Sequence, residues 1–252
     1  MIVSRLSPDE QSLLDNILAN TLDTVFSDLT QLENSLEIAK TLLNQINHII
    51  HEIGTLWNTE HDLKGSLIGE KETITSEEIT QLYNHLEPLF ELIRSRFPIL
   101  RSEKRIAVGT LVNVHQVSQL LELSLRKEGY LTYYWGSHLT TREIKDKNEA
   151  SPANIFVLSC MAVNSENNVF EELQILRNTF PNVKIIVGGS AFQMFLVLKE
   201  DKNHPALTEP YKKNPEYYEE ITKSKNLKDF VLKVFNVSYC ETVDDIINEI
   251  EQ

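Results

Sequence analysis

The hydrophobic pattern changes period at Arg105, and this change limits the possible fold more than any other feature of the chain. Before it, apolar residues recur at helical spacing. After it, they fall into short unbroken runs separated by helical stretches. In the first part, Leu13, Leu14, Ile17, Leu18, Leu22, Val25, Phe26 and Leu29 lie on one helical face. That helix should start at Ser7-Pro8-Asp9-Glu10, where Ser7 can cap, Pro8 suits the first helical position and acids follow. A second helix carries Leu36, Ile38, Ala39, Leu42, Leu43, Ile46, Ile49, Ile50 and Ile53, and is expected to end near Gly54-Thr55-Leu56-Trp57. Residues 58–75 are polar and read as a loop. Thr75-Ser76-Glu77-Glu78 has the spacing of a capping box and opens a third helix, which reaches Phe97-Pro98 and is expected to bend at Pro88. No such amphipathic helix buries its face alone, so residues 1–98 are predicted to form a helical bundle.

The second part, residues 104–252, reads as alternating strands and helices. The predicted strands are Ile106–Thr110, Leu131–Trp135, Ile155–Ser159, Lys184–Val187 and Val237–Cys240. Helices follow through Val117–Leu125, Thr140–Ala150, Phe170–Phe180 and Val243–Ile250. Continuous apolar runs without alternation suit strands covered on both faces. Helices between strands require crossover connections and a parallel sheet. The predicted fold is therefore α/β: an N-terminal helical bundle, then a flavodoxin-like (Rossmann-type) five-stranded parallel sheet. Residues 199–225 interrupt this order. They hold Pro205, Pro210 and Pro215 among many charges, and read as a surface insertion.

Composition removes several functional classes. The formal net charge is −13, and an acidic chain repels phosphate backbones, so no direct nucleic-acid partner is expected. Arg94, Arg96, Arg101, Lys104 and Arg105 cluster around Pro98 and read as a solvated linker. No apolar run approaches the roughly 20 residues that span a bilayer, and no signal peptide is evident, so a cytoplasmic location is the expectation. Cys160 and Cys240 lack the spacing of a metal knuckle or redox pair and should be buried thiols. His48 and His51 share a helix face without a third ligand and read as surface residues. No Walker lysine, zinc signature or nucleophile elbow is present.

In open parallel sheets, ligands bind beyond the carboxyl ends of the strands. The residues there are Thr110 to Ser118 after the first strand, Ser159 to Val163 after the third and Gly188 to Ala191 after the fourth, among them Asn113-Val114-His115-Gln116-Val117-Ser118, Ser159-Cys160-Met161 and Gly188-Gly189. In this order and spacing they resemble the cobalamin (B12)-binding module of corrinoid proteins and B12-dependent sensors. That family's pattern is Asp-x-His-x-x-Gly, Ser-x-Leu and Gly-Gly. Leu125–Tyr130, Val187–Ala191 and Tyr239–Val243 also resemble the family, and the preceding bundle resembles its helical cap.

The resemblance implies a cobalamin or corrinoid cofactor held between the cap and the sheet edge. His115 would be the lower axial metal ligand, and Asn113, Ser118, Ser159, Met161, Gly188 and Gly189 would line the site. Trp57 would face the upper side of the corrin ring. Asn113 stands where the family has aspartate, so His115 would be polarised less and bind metal more weakly. Ser118 stands where the family has the glycine beside the nucleotide tail. Glu60-His61 lies too close to Trp57, and Glu78-Ile79 lacks the histidine, to match the sensors' upper-face pair. The implied role is a sensor or carrier with a protein partner rather than a complete enzyme. Two alternatives stay open: haem or another tetrapyrrole on the same fold, or a cofactor-free interaction or regulatory module.

Overall fold

A computed structural model describes residues 5–19, 35–60, 75–111, 117–160, 169–189, 191–192, 219–220 and 223–252. The chain divides into two compact units, Met1–Pro98 and Ile99–Gln252.

Three helices of the first unit are described: α1 (Pro8–Leu18), α2 (Ser35–Glu60) and α3 (Ser76–Arg96). α1 and α3 start at capping boxes. The Ser7 hydroxyl accepts from the Glu10 amide, the Thr75 hydroxyl from the Glu78 amide, and each glutamate bonds back to its cap. Leu14, Ile17, Leu43, Leu82, Leu86 and Leu89 are fully buried and form much of the shared core. α2 passes through Gly54 to Glu60 instead of ending near Gly54. One helical glycine costs only about 1 kcal/mol, less than burial of the neighbouring Ile49, Ile50 and Ile53 returns. α3 runs on through Pro88. His48 donates from Nδ1 to Glu10 Oε1 at 2.7 Å and so ties α2 to α1. His85 of α3 donates from Nδ1 to the Ile17 carbonyl at 2.8 Å, satisfying an end group of α1.

The second unit is a sheet of five parallel strands in the order β2-β1-β3-β4-β5. The strands are β1 (Arg101–Leu111), β2 (Tyr130–Leu139), β3 (Ile155–Cys160), β4 (Lys184–Gly188) and β5 (Ser238–Tyr239). Helices α4 (Val117–Lys127), α5 (Thr141–Ala150), α6 (Val169–Thr179), α7 (Leu227–Phe235) and α8 (Val243–Glu251) cover both faces. Alternate residues of each strand enter different cores. Ile106, Val108, Ile155, Val157 and Ile186 meet Leu125 of α4 and Ile246 and Ile250 of α8. Ala107, Phe156, Ile185 and Val187 meet Ile144 of α5, Phe170 and Leu173 of α6, and Phe230 of α7. The sequence shows no alternation because both sets are buried.

Helix α7 is an addition to the sequence expectation. Asn226 caps it by accepting from the Asp229 amide, and Leu227, Phe230, Val231 and Phe235 are buried along one side. Of the stretch 199–225, read as an insertion, only 219–220 and 223–225 are described. Ser224 in it is buried.

β1 starts at Arg101, so three residues read as a solvated linker belong to the strand. Arg101 lies over the Tyr130 ring, 5.0 Å from its centroid, and reaches Glu251 at 2.7 Å. Lys104 holds Glu251 at 2.7 Å and the Ile250 carbonyl at 3.0 Å, while the Tyr130 hydroxyl also donates to Glu251. Lys184 pairs with Glu249 at 3.3 Å. These cations sit at the last turn of α8, where they satisfy carbonyls and oppose the helix dipole. Arg105 instead uses its backbone amide to bond Asn154 Oδ1 at 3.0 Å.

This cluster gives a pH prediction. The hydrogen bonds from Lys104 and then Tyr130 hold the Glu251 carboxyl down at about 2, against an ordinary 4.5. A carboxyl depressed on folding stabilises fully above its unfolded value, and the contribution disappears as pH falls from about 4.5 toward 2. Glu251→Gln should therefore lower stability at pH 6 and show a shallower loss through that window. Urea unfolding followed at pH 6, 4 and 3 measures it. Parallel pH curves for the two proteins would show that the cluster is not coupled to folding.

Candidate functional site

The strand order 2-1-3-4-5 places a topological switch between β1 and β3, because α4 leads β1 to one side and the later crossovers proceed to the other. In open parallel sheets, ligands bind at such a switch point, outside the carboxyl ends of the strands. Registration across it is direct: Thr110 of β1 pairs with Ser159 of β3, and Ser159 with Gly188 of β4. Residues in register share a face of a parallel sheet, and every second residue along a strand returns to that face. Thr110 thus follows Ile106 and Val108, Ser159 follows Ile155 and Val157, and Gly188 follows Ile186. The core under α4 and α8 is apolar along most of its length and becomes a hydroxyl, a hydroxyl and a glycine at the carboxyl edge.

The row is closed on one side. Ser118, in the first turn of α4, receives a hydrogen bond from Thr110 Oγ1 at 3.0 Å, and the two residues are 1% and 0% exposed. One helical turn on, the buried Glu122 carboxylate accepts from Thr132 Oγ1 of β2 at 2.5 Å. Two hydroxyl contacts therefore fix the height and rotation of α4 over β1 and β2. Leaving either buried partner unsatisfied would cost about 1–3 kcal/mol. Ser159 and Gly188 are half-buried.

Gly188 and Gly189 have a reason to be glycine that involves no ligand. A Cβ on Gly188 would stand 2.5 Å from the Cys240 carbonyl oxygen. A Cβ on Gly189 would stand 2.3 Å from the Cys160 carbonyl oxygen, and Gly189 has φ +110°. Neighbouring strands thus press against both positions. Cys160 and Cys240 are buried free thiols. Burial pushes the Cys240 thiol up to about 11 and the Cys160 thiol upward as well, so neither is a nucleophile at neutral pH.

Of the residues singled out from sequence, the structure brings Ser118, Ser159, Gly188 and Gly189 to the carboxyl edge of the sheet. Asn113, His115 and Met161 lie outside the described residues. Trp57 is in the last part of α2, and its side chain is outside the description. Thr110, the first residue of the stretch that the sequence places at this edge, joins the row, although the family motif does not include it; a hydroxyl ends an apolar strand there as Ser159 does in β3. His138, exposed near the carboxyl end of β2 with a left-handed φ of 58°, was not among the residues singled out. Among the described residues, no group of three or more His, Cys, Asp or Glu could hold a metal ion. Among them too, no helix is long and apolar enough to cross a membrane.

No family model and no curated protein matches the chain. Several solved structures are similar to it. A cobalamin-binding protein from Desulfitobacterium hafniense is 11% identical, with TM-score 0.37, over 73% of this chain and 85% of that one. The methanol:cobalamin methyltransferase complex of Methanosarcina barkeri is 10% identical, with TM-score 0.41, over 92% and 91%. The monomethylamine corrinoid protein of Methanosarcina barkeri is 13% identical, with TM-score 0.42, over 71% and 83%. Likenesses of this size add nothing to what the strand order already says.

Proposed function

We propose that this chain is a corrinoid-binding protein acting as a sensor or carrier, with its ligand at the carboxyl edge of the sheet. The observation that carries this reading is the Thr110–Ser159–Gly188 row at the switch point. Two of its three members, Ser159 and Gly188, are the residues that the sequence resemblance assigns to the corrinoid site. The third, Thr110, precedes Asn113 and His115 in the chain by three and five positions.

The donor chemistry fits the ring portion of a corrinoid. His115 would supply an imidazole to cobalt, Asn113 would accept from its other ring nitrogen, and the Ser159 hydroxyl would offer a hydrogen bond at the half-buried edge. Met161 would contribute an apolar, adaptable contact. A bound corrinoid would supply a cobalt centre able to hold or release a small group. The protein's own part is to bind the ring, orient it and present it to a protein partner.

The test is a titration of the purified protein with hydroxocobalamin, methylcobalamin and haemin, followed by absorption and by retention on desalting. The expected result is stoichiometric retention of a corrinoid with a shifted visible spectrum. Retention of haemin alone would replace this reading with the haem one. Retention of none would leave the cofactor-free interaction module.

A further inference from the structure

We infer that His48 is a pH-sensitive latch on helix α1: when protonated it ties α1 to α2, and when neutral it releases the amino-terminal end of α1. The inference is independent of the corrinoid reading, because every group in it belongs to the first unit.

The imidazole of His48 stands between two carboxylates. Its Nδ1 is 2.7 Å from Glu10 Oε1 of α1, and its Nε2 is 3.8 Å from Glu52 Oε1, one turn further along α2. A neutral imidazole has one N–H and one lone pair. No neutral tautomer therefore satisfies both sides, and the proton that serves Glu10 leaves a lone pair facing Glu52. The imidazolium serves both at once. The His48 side chain is 43% exposed, so protons reach it, whereas the Glu10 and Glu52 side chains are 14% and 10% exposed. Burial on the carboxylate side reduces the screening that makes most surface pairs weak.

Little else can replace the lost charge. Among the described residues, the one other cation paired with either carboxylate is the exposed Arg5, 3.9 Å from Glu52. Among them too, no charged group of α3 pairs with the ring. Glu10 also completes the cap of α1, where its Oε2 accepts from the Ser7 amide at 2.8 Å, so the latch acts on a residue that starts the helix. The other end of α1 is held differently. The bond from His85 Nδ1 to the Ile17 carbonyl can be made by a neutral or a charged imidazole. α1 buries Leu13, Leu14 and Ile17, so its release uncovers an apolar face of the first unit.

The sign follows from linkage. A protonated histidine that gains carboxylate partners on docking contributes fully in acid, and the contribution is lost as pH rises through about 5 to 8, where histidines change charge. The Ser7 amide above all, with His48 assisting, holds the Glu10 carboxyl below the ordinary 4.5. Glu10 thus stays ionised across that range, and its own contribution is lost only at lower pH.

Hydrogen exchange of the full chain, read by mass spectrometry and corrected for the intrinsic rate at each pH, measures the opening of α1. Protection over Pro8–Leu18 should fall about tenfold or more between about pH 5.5 and 8.5, the scale of one charge-assisted hydrogen bond, while Ser76–Arg96 changes by less than about threefold. His48→Gln, which keeps a neutral donor, should leave α1 weakly protected at both pH values. Glu52→Gln, which removes the carboxylate facing the lone pair, should raise protection at the higher pH above that of the wild-type protein. A change in wild-type α1 of less than about threefold overturns the inference. An equal loss in α3 overturns it as well, since the whole unit would then be responding. So does an undiminished pH dependence in folded His48→Gln, which would assign the effect to another group. The wild-type series decides the matter even where neither variant folds.

Discussion

Gly189→Ala should destabilise the second unit by at least about 3 kcal/mol, with no ligand present. Two independent penalties act at this residue. Its φ of +110° lies where L side chains are strained, at about 1–3 kcal/mol. Its Cβ would also stand 2.3 Å from the Cys160 carbonyl oxygen and 3.0 Å from the Cys160 nitrogen. Both obstacles are backbone of a central strand, so neither can rotate away. The loss corresponds to a fall of roughly 6–12 °C in Tm at this chain size. Thermal unfolding by circular dichroism measures it directly. A loss under about 1 kcal/mol would mean that the β3–β4 edge relaxes readily and that the glycine was there for another reason. The prediction also bears on function: Gly188-Gly189 is required by packing, so the pair is weak support for any ligand when taken alone.

His115→Ala should lower corrinoid affinity by about 10–100-fold and alter the visible spectrum of the bound form. The expectation comes from the resemblance of Asn113-Val114-His115-Gln116-Val117-Ser118 to the family motif, together with its place after β1 at the switch point. Asn113→Asp should act in the opposite sense. A carboxylate behind an imidazole raises its basicity and makes it a stronger metal ligand, whereas the amide carries no charge to do so. The two substitutions together separate ligation from mere proximity. A residue that only lines the pocket would change affinity on truncation but leave the cobalt spectrum unmoved, and Asn113→Asp would then do nothing. Wild-type spectra in both variants would remove His115 from the metal. Unlike Gly189→Ala, neither change should shift the melting of the apoprotein by more than a few degrees.

Local chemistry was legible in the chain. Ser7 and Thr75 cap α1 and α3 as their neighbours three positions on imply, because a capping box is completed within one turn. The strand cores Ile106–Thr110, Ile155–Ser159 and Lys184–Val187 stood out because they are buried on both faces. Helix α7 is equally local, with Asn226 and Asp229 at cap spacing and apolar residues at helical period beside a proline-rich stretch.

Other features had no local signal at all. β1 begins at Arg101 because Tyr130 and Glu251, 29 and 150 residues away, give Arg101 partners that a linker would not have. The glycines at the edge are dictated by the Cys160 and Cys240 carbonyls, which other strands deliver. The sealing of the β1 side depends on the rotation of α4, which Glu122 and Thr132 fix across ten positions of sequence. The sequence alone determined which segments are helices and which are strands, since hydrophobic period and capping act over a few residues. The tertiary structure alone decided where β1 starts, why Gly188 and Gly189 admit no side chain, and that Ser118 closes against Thr110, because each of those outcomes depends on atoms brought together only by the sheet.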